Sequence, residues 1–564
     1  MQSDYLTTSR TEKRNIRFLR PVPVFVWAVT GLHVALLLLG SVFQPLLRVP
    51  DEPFHADMIL AVSQEPGWPP IRGRVLGPEI EISSRLLRQN PIVASDAIPR
   101  SPSQTSDNEE PCEGLPLPTC RFRPELRDFS DWDVEGRVNR MTQHPPLYYV
   151  AVASVSTGVQ TLFPPAFDLA FDQELWLYRV VTLLMVAPLP ILTFLLAREI
   201  TEERSVQHAA VALTVFITGL HLRNGPMINN DNLLLLLGAL FLVGLIRIAK
   251  GDTGFRAAVL TGLVVGLSLL TKGFALFLVP TLAIAYLLAY LRARSRGLRP
   301  PLQSGLISLS MAGVVGGWWW LRNLLLYGRL QPGGAGLSEP AGPSFEPDVL
   351  DWFREAAETN IRTFFGGYGV PRSPTDPLLF GTLIAFVAFG VAAGLLLAGG
   401  KRRLLWLLLL PMLLVAVGLM LNSYRLYRET GLVKGENGRY FYFLLPGLFV
   451  ILANGYVLAT NRLRLLRKRR SVGRFVPLAF VIAAITIQVY GLLRKLNIEW
   501  GPRDTPLATS WEALVAWSPL PQPWVTGLLV LSVLVAAGTL VLGVRLALEH
   551  DEVPPTGQTR TGCV

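Results

Sequence analysis

Apolar residues gather along this chain into runs of about 15 to 23, the length that a bilayer span requires. The first, from about Val22 to Phe43, follows Arg10, Lys13, Arg14, Arg17 and Arg20. A basic flank before a long apolar run is a signal-anchor pattern. No small-residue cleavage site stands out, so the segment is expected to be retained. Further spans are expected near 176–197, 206–222, 232–249, 257–270, 273–291, 305–327, 379–399, 404–421, 440–460, 475–493 and 524–547. Drawn as one helix, the 35 residues of 257–291 would be ~52 Å long, too long for a bilayer. Thr271-Lys272-Gly273 therefore reads as a turn between two short spans.

Residues 145–162 (PPLYYVAVASVSTGVQTL) decide the topology. Counted as a span, they put the loop Arg292–Arg299, with four Arg and no acid, outside together with 462–474, which has six Arg and one Lys. Left out, they put both loops inside with Lys401-Arg402-Arg403, as the positive-inside rule demands of short loops. The segment is therefore read as a helix lying along the outer membrane surface or partly re-entering it. The expected fold is an all-α polytopic membrane protein with about twelve transmembrane helices, both termini cytoplasmic. Residues 1–21 form the cytoplasmic N-terminus and 22–460 a core that carries outer loops 45–175 and 328–378. Residues 461–547 hold the C-terminal spans, with an outer loop at 494–523, and 548–564 a cytoplasmic tail.

Composition agrees with this pattern. Of 564 residues, 51% are hydrophobic and 16% charged, against ~25% charged in a soluble protein. That excludes a soluble enzyme, a disordered chain and a nucleic-acid-binding domain. The net charge of +11 is unevenly spread: residues 45–175 hold 19 of the 41 acids and 11 of the 52 bases, a net of −8, which leaves +19 elsewhere. Cys112 and Cys120 lie in the first outer loop as CEGLPLPTC, where an oxidising exterior would form a small disulfide loop; two unpaired thiols are the alternative. No Cys or His cluster has zinc spacing.

Ion-coupled carriers place ionisable groups within their spans. Here the span interiors hold almost none, and the polar groups collect where span ends meet outer loops. One cluster is Asp51-Glu52-Pro53-Phe54-His55, just after the first span. Partial desolvation would raise a carboxylate's pKa and suit it to act as a general base; the plainer reading is two surface charges at a helix end. A second is Gln143-His144-Pro145-Pro146-Leu147-Tyr148-Tyr149, a proline-started helix that could equally be an interfacial anchor. A third, in Arg223–Asn232, carries Asp231, which could also cap the next helix. The fourth is a set of bases on the outer side: Lys272, Arg322, Arg425, Arg428, Lys434 and Arg439. Held there, they call for an anionic partner such as a phosphate, snorkelling being the alternative for any one of them.

These motifs resemble the integral-membrane glycosyltransferases of the C-type fold, in particular the protein O-mannosyltransferase and aminoarabinose-transferase group. The resemblance rests on the Asp-Glu after span one and on HPPLYY. It also rests on YRVVTLLMVAPLPILTFLLAREI, LLTKGFALFLVP, GWWWLRNLLLYG and GRYFYFLLP, and covers roughly residues 20–460. It implies a polyprenyl-phosphate-linked sugar as donor, transfer at the outer face of the plasma membrane, and Asp51 as base with Glu52 beside it. It implies positioning roles for His55, His144 and Asp231. By extension Lys272, Arg322, Arg425 and Arg439 are read as lipid-phosphate contacts. After HPPL the mannosyltransferases carry a short Gly- or Ala-Lys pair, where this chain has Tyr148-Tyr149, so a protein acceptor does not follow. No dedicated metal cage is expected; the carboxylate pair could hold a divalent ion weakly. Two other classes remain open: a flippase of lipid-linked sugars, which needs no reactive carboxylate, and a surface polysaccharide polymerase or ligase.

Overall fold

The structure is a computed structural model that describes residues 21–49, 51–64, 67–88, 126, 129, 136–162, 169–295, 301–332, 341–342, 344–366, 377–462, 472–501 and 506–548. The cysteines Cys112 and Cys120 lie outside the described residues. Regular structure among the described residues is helical, apart from one antiparallel bridge between Val75 and Val138.

Helix α1 (Val24–Phe43) starts where the Pro23 carbonyl accepts the N–H groups of Val26 and Trp27. It ends ahead of Pro45, whose ring disfavours helix in the residue before it. In the first loop follow α2 (Glu52–Gln64), α3 (Pro78–Arg88) and α4 (Leu147–Leu162). The last is the segment read as a surface helix, and it packs on α2 and on α5 (Phe171–Val186). Pro188 and Pro190 mark the passage from α5 to α6 (Leu189–Ile200). Next come α7 (Arg204–Ala212), α8 (Asp231–Ala249), α9 (Phe255–Leu269), α10 (Leu278–Arg294), α11 (Leu302–Ala312) and α12 (Trp318–Tyr327). The chain continues through α13 (Val349–Phe365), α14 (Pro377–Leu396), α15 (Arg402–Thr430), α16 (Leu445–Arg462), α17 (Val476–Trp500), α18 (Leu507–Trp517) and α19 (Gln522–Leu548).

Among the described residues, 9 helical segments are long and apolar enough to cross a membrane, and each coincides with an expected span. The other expected spans are helical but short or broken. Residues 206–222 divide between α7, a 3₁₀ turn at Leu213–Val215 and a π turn at Leu220–Asn224. Residues 257–270 are the 15-residue α9, and 305–327 are α11, a π turn at Gly313–Gly317 and α12. The break at 271–273 is real: α9 stops at Leu269, and a 3₁₀ turn from Gly273 leads into α10. It is pinned by two neighbours, since Leu147 N–H donates to the Leu270 carbonyl and Trp320 Nε1 to that of Leu269.

Burial separates the centre of the bundle from its rim. The apolar windows of α8 and α16 are 78% and 83% buried within protein, that of α19 only 17%. The rim helix α19 lies antiparallel to α1, because Ser532 donates to the Ala35 carbonyl and, one heptad on, Thr539 donates to that of Ala28. The interior is not free of ionisable side chains, contrary to expectation. His33 Nδ1 lies 2.8 Å from His221 Nε2, Gln488 Nε2 lies 3.1 Å from His221 Nδ1, and the Val186 carbonyl is 3.1 Å from His33 Nε2. This seam joins α1, the Leu220–Asn224 turn and α17, and a polar group in apolar surroundings must find such partners.

One buried ion pair fixes the way out of α1. Arg179, on α5, is fully buried, as is Glu52. Its guanidinium donates to both Glu52 oxygens at 2.7 Å and to the carbonyls of Ser41, Gln44 and Pro45 at 2.5–2.9 Å. Glu52 accepts in addition from the N–H groups of Leu47 and Ile228. One pair thus ties the end of α1, the loop after it, the start of α2 and the turn before α8. Removing one member of a buried pair strands the other charge, at a cost of about 3–5 kcal/mol. Glu52→Gln should therefore lower the unfolding free energy in detergent by an amount of that order, and the unfolding temperature with it; an unchanged transition would show that the pair does not hold this junction.

Candidate active site

The loop fastened by Glu52 presents the neighbouring Asp51 at the first bend of α2. Asp51 Oδ1 accepts Arg140 Nη2 at 2.6 Å, and Oδ2 accepts Arg439 Nη2. Arg439 is delivered by the 3₁₀ turn Gly438–Leu444, which the Asn437 side chain caps through the Arg439 N–H. Gly438 is needed there, because a Cβ would stand 2.2 Å from the Asn360 carbonyl oxygen. Arg439 Nε also lies 3.5 Å from Asp231 Oδ2, and Lys272 Nζ donates to Asp231 Oδ1 at 2.5 Å. The result is an alternating row of charges: Arg140, Asp51, Arg439, Asp231, Lys272. Asp231 does not cap α8; Asn230 is the cap residue, and the Asp231 carboxylate turns to the two cations. The Lys272 ammonium stands 5.2 Å over the Tyr440 ring and 5.6 Å over Phe274, an added attraction to the negative ring faces.

This row borders a cavity of about 1210 Å³. Among the described residues its wall carries the cations Arg72, Arg140, Lys272, Arg329, Arg425, Lys434 and Arg439 and a single carboxylate, Asp51. Leu276, Phe277 and Leu419 form an apolar flank, and Gly418 admits Phe277, whose ring would meet a Cβ there at 2.1 Å. His55 and His144 line the cavity with rings stacked at 6.2 Å, and His55 Nδ1 is 2.9 Å from the Tyr149 hydroxyl. His144 Nδ1 and Gln143 Oε1 are buried and have no hydrogen-bond partner among the described residues. Groups left so need a ligand or water to satisfy them.

The electrostatics overturn one expectation. Burial does raise the Asp51 carboxyl, but the Arg439 and Arg140 guanidiniums outweigh it and hold the group well below the usual carboxylate range. Asp51 is ionised and a weak base while both arginines hold it. Burial pushes His55 well below its ordinary value and His144 down to about 3, with the Lys272 charge adding to the latter shift, so both rings are neutral.

Of the residues singled out in the sequence, Asp51, His55, His144, Lys272, Arg425 and Arg439 all line the cavity, and Asp231 stands directly behind Lys272 and Arg439. Glu52 does not face the cavity: both its oxygens are committed to Arg179 and to backbone N–H groups. That also splits the carboxylate pair weighed for a divalent ion, and no group of 3 or more His, Cys, Asp or Glu gathers among the described residues. Arg322 is also placed elsewhere, donating to Asn323 Oδ1 and stacking over Trp319 and Tyr327 at 5.1 and 5.9 Å. Three cavity cations were missed. Arg140 lies four residues before His144 and could have been found from that spacing. Arg72 and Arg329 lie in loops with no local signal.

A family model described as "Predicted membrane protein (DUF2142)" matches residues 34–448. The chain belongs to the DUF2142 family. As a DUF2142 member with these apolar helices it is an integral membrane protein. No curated protein matches it. Among solved structures, ArnT from Cupriavidus metallidurans in the apo state aligns at 12% identity and a TM-score of 0.37, over 72% of this chain and 67% of that one. The oligosaccharyltransferase of Archaeoglobus fulgidus in the apo form aligns at 12% identity and a TM-score of 0.37, over 87% of this chain and 60% of the other. The same enzyme tethered to an acceptor peptide gives 13% and 0.33, over 68% and 51%. The DUF2142 chain thus spans little more than half of the archaeal enzyme, and a likeness this loose says nothing about chemistry.

The neutral histidines have a measurable consequence. His144 titrates near 3 in the folded chain against an ordinary 6.5, so below pH 6.5 the unfolded chain takes up a proton that the folded one refuses. Stability attributable to this site therefore falls as pH drops, by about 1.4 kcal/mol per unit, or about 2 kcal/mol at pH 5. The unfolding temperature should fall between pH 7 and pH 5, and His144→Gln should fall less; an equal fall in the variant would contradict a buried neutral His144.

Proposed function

We propose that this protein is a glycosyltransferase of the plasma membrane. It moves a sugar from a polyprenyl-phosphate carrier to an acceptor hydroxyl or amine at the extracytoplasmic face, with inversion at the anomeric carbon. The observation that carries this reading is the cavity wall, where, among the described residues, seven cations and one carboxylate line the space at the end of a membrane bundle. Such a wall suits an anionic headgroup, since Arg grips phosphate oxygens bidentately and Lys as a point charge. The apolar flank of Leu276, Phe277 and Leu419 suits the first part of a hydrocarbon tail.

The ion pairs give the mechanism an order. A donor phosphate competes with Asp51 for Arg140 and Arg439, and Asp51 gains basicity as they leave it. Asp51 then accepts the acceptor proton while the acceptor oxygen or nitrogen forms its bond to the anomeric carbon, on the face opposite the phosphate. The bond from that carbon to the phosphate oxygen breaks, and its electron pair leaves with the polyprenyl phosphate. Lys272, Arg425 and Arg439 stabilise the charge that develops on this leaving group. Asp231 is a positioning residue that holds Lys272 and Arg439 in place. Gln143 and His144 offer their unpaired atoms to sugar hydroxyls, and His55 orients beside them.

The test is sugar release from a panel of radiolabelled polyprenyl-phosphate sugars by purified protein in lipid, with cell-envelope extract as the source of acceptor. Wild type should turn over, and Asp51→Asn should lose about 10²–10⁴-fold in rate while its unfolding transition stays cooperative. Full turnover by a folded Asp51→Asn protein would refute the base, and binding without turnover in the presence of extract would point to a carrier.

A further inference from the structure

A second cavity lies at the opposite end of the bundle and plays no part in the proposed chemistry. Its volume is about 790 Å³. It opens beside Pro23 and Val24, at the start of α1, whereas Asp51 follows that helix's end; 20 residues of helix, ~30 Å at ~1.5 Å each, separate the two. Arg198 comes to it from the last turn of α6, Arg204 from the start of α7 and Arg545 from the last turn of α19. The antiparallel pairing of α1 with α19 is what brings Arg545 to the Pro23 end. Among the described residues Glu202 is the single acid on the wall and His208 is a buried ring edge-on to Phe25, so three guanidiniums less one carboxylate give these residues a net charge of +2. The floor is apolar, made by Phe25, Phe194 and Leu542, and the Arg198 guanidinium lies 5.3 Å over the Phe194 ring.

We propose that this cavity binds the phosphate headgroup of an anionic phospholipid from the leaflet opposite the Asp51 cavity. Arginines that merely snorkel point outward from separate helices; these three converge from three helices on one concavity. The choice of a lipid over free phosphate rests on the floor and the rim. Apolar side chains, Val24 among them, line the wall, and Trp27 is exposed on α1 three residues further on, where an indole would suit the membrane interface. A headgroup held there has hydrocarbon within reach for its acyl chains, which inorganic phosphate could not use. Basic pockets between membrane helices on the cytoplasmic side bind such headgroups, and the basic inner loops put this end there. The bound lipid would join α1, α6, α7 and α19 at the end of the bundle where Lys401 already reaches over to the Thr201 hydroxyl, 2.8 Å away.

The experiment is native mass spectrometry and thermal unfolding of the full chain in neutral detergent, titrated with phosphatidylglycerol, phosphatidylcholine or inorganic phosphate. Wild type should retain phosphatidylglycerol in preference to phosphatidylcholine and unfold at a higher temperature with it. The Arg198→Ala/Arg204→Ala/Arg545→Ala variant should bind phosphatidylglycerol on the order of a hundredfold more weakly. If the triple variant misfolds, Arg204→Ala/Arg545→Ala changes only exposed side chains and should lose about thirtyfold. Arg425→Ala, which alters the other cavity, should keep the bound lipid. Equal retention of the two lipids, or equal binding by the wild type and the arginine variants, would overturn the proposal. So would stabilisation by inorganic phosphate that the wild type shows and the arginine variants lose, which would make the ligand of this cavity a free ion. None of these readouts depends on sugar transfer.

Discussion

Arg179 carries a permanent charge into a position with no exposure at all, and the architecture around Asp51 is arranged to meet that charge. A buried guanidinium is tolerable only when its five donors and its charge are all answered. Here three carbonyls released at the end of α1 and both oxygens of Glu52 do so. Those carbonyls are free because a helix end leaves its last acceptors unmatched, and Pro45 prevents the helix from continuing past them. The loop's shape follows from its chemistry. Asp51, one residue before Glu52, is set at the cavity by a bond that never enters the cavity.

From there the charges alternate. Arg140, Asp51, Arg439, Asp231 and Lys272 each neutralise a neighbour, so a dense group of ions is held half out of water without large net repulsion. Arg72, Arg329, Arg425 and Lys434 add further positive charge to the same wall, and Arg425 also lies 4.0 Å from Glu429. The wall as a whole is therefore complementary to an anion larger than a carboxylate. Asp51, held by two guanidiniums, stands in the place such an anion would take. Under the proposed function, this arrangement would keep the base quiet until the donor arrives and so guard a reactive headgroup against premature attack by water.

Much of this was legible in one dimension. Windows of apolar residues located the spans, and the length limit of a bilayer identified the turn at 271–273. Charge on the short loops set 145–162 apart from the spans, and it folds as the separate helix α4. Asp51, His144, Lys272 and Arg439 could be picked out because polar side chains at the ends of apolar runs are conspicuous. What could not be read was direction. Adjacent residues at a helix start diverge by ~100°, so Asp51 and Glu52 could not both face one cavity, and only the buried Arg179 decides which does. Hydropathy averages a span and so hid His33, His221 and Gln488, which satisfy one another across helices. Arg322 shares the basic character of the cavity residues, but its side chain is taken up by Trp319 and Tyr327.

The central claim, that Asp51 occupies the anion site and yields it to phosphate, is tested most directly by the affinity of the purified protein for inorganic phosphate. Asp51→Asn should bind phosphate about tenfold more tightly than wild type, since it removes a competing charge from Arg140 and Arg439. Arg140→Ala should then cost more affinity in the Asp51→Asn background than in wild type, because only there is Arg140 fully given to the ligand. Unchanged or weaker phosphate binding by a folded Asp51→Asn protein would contradict the account.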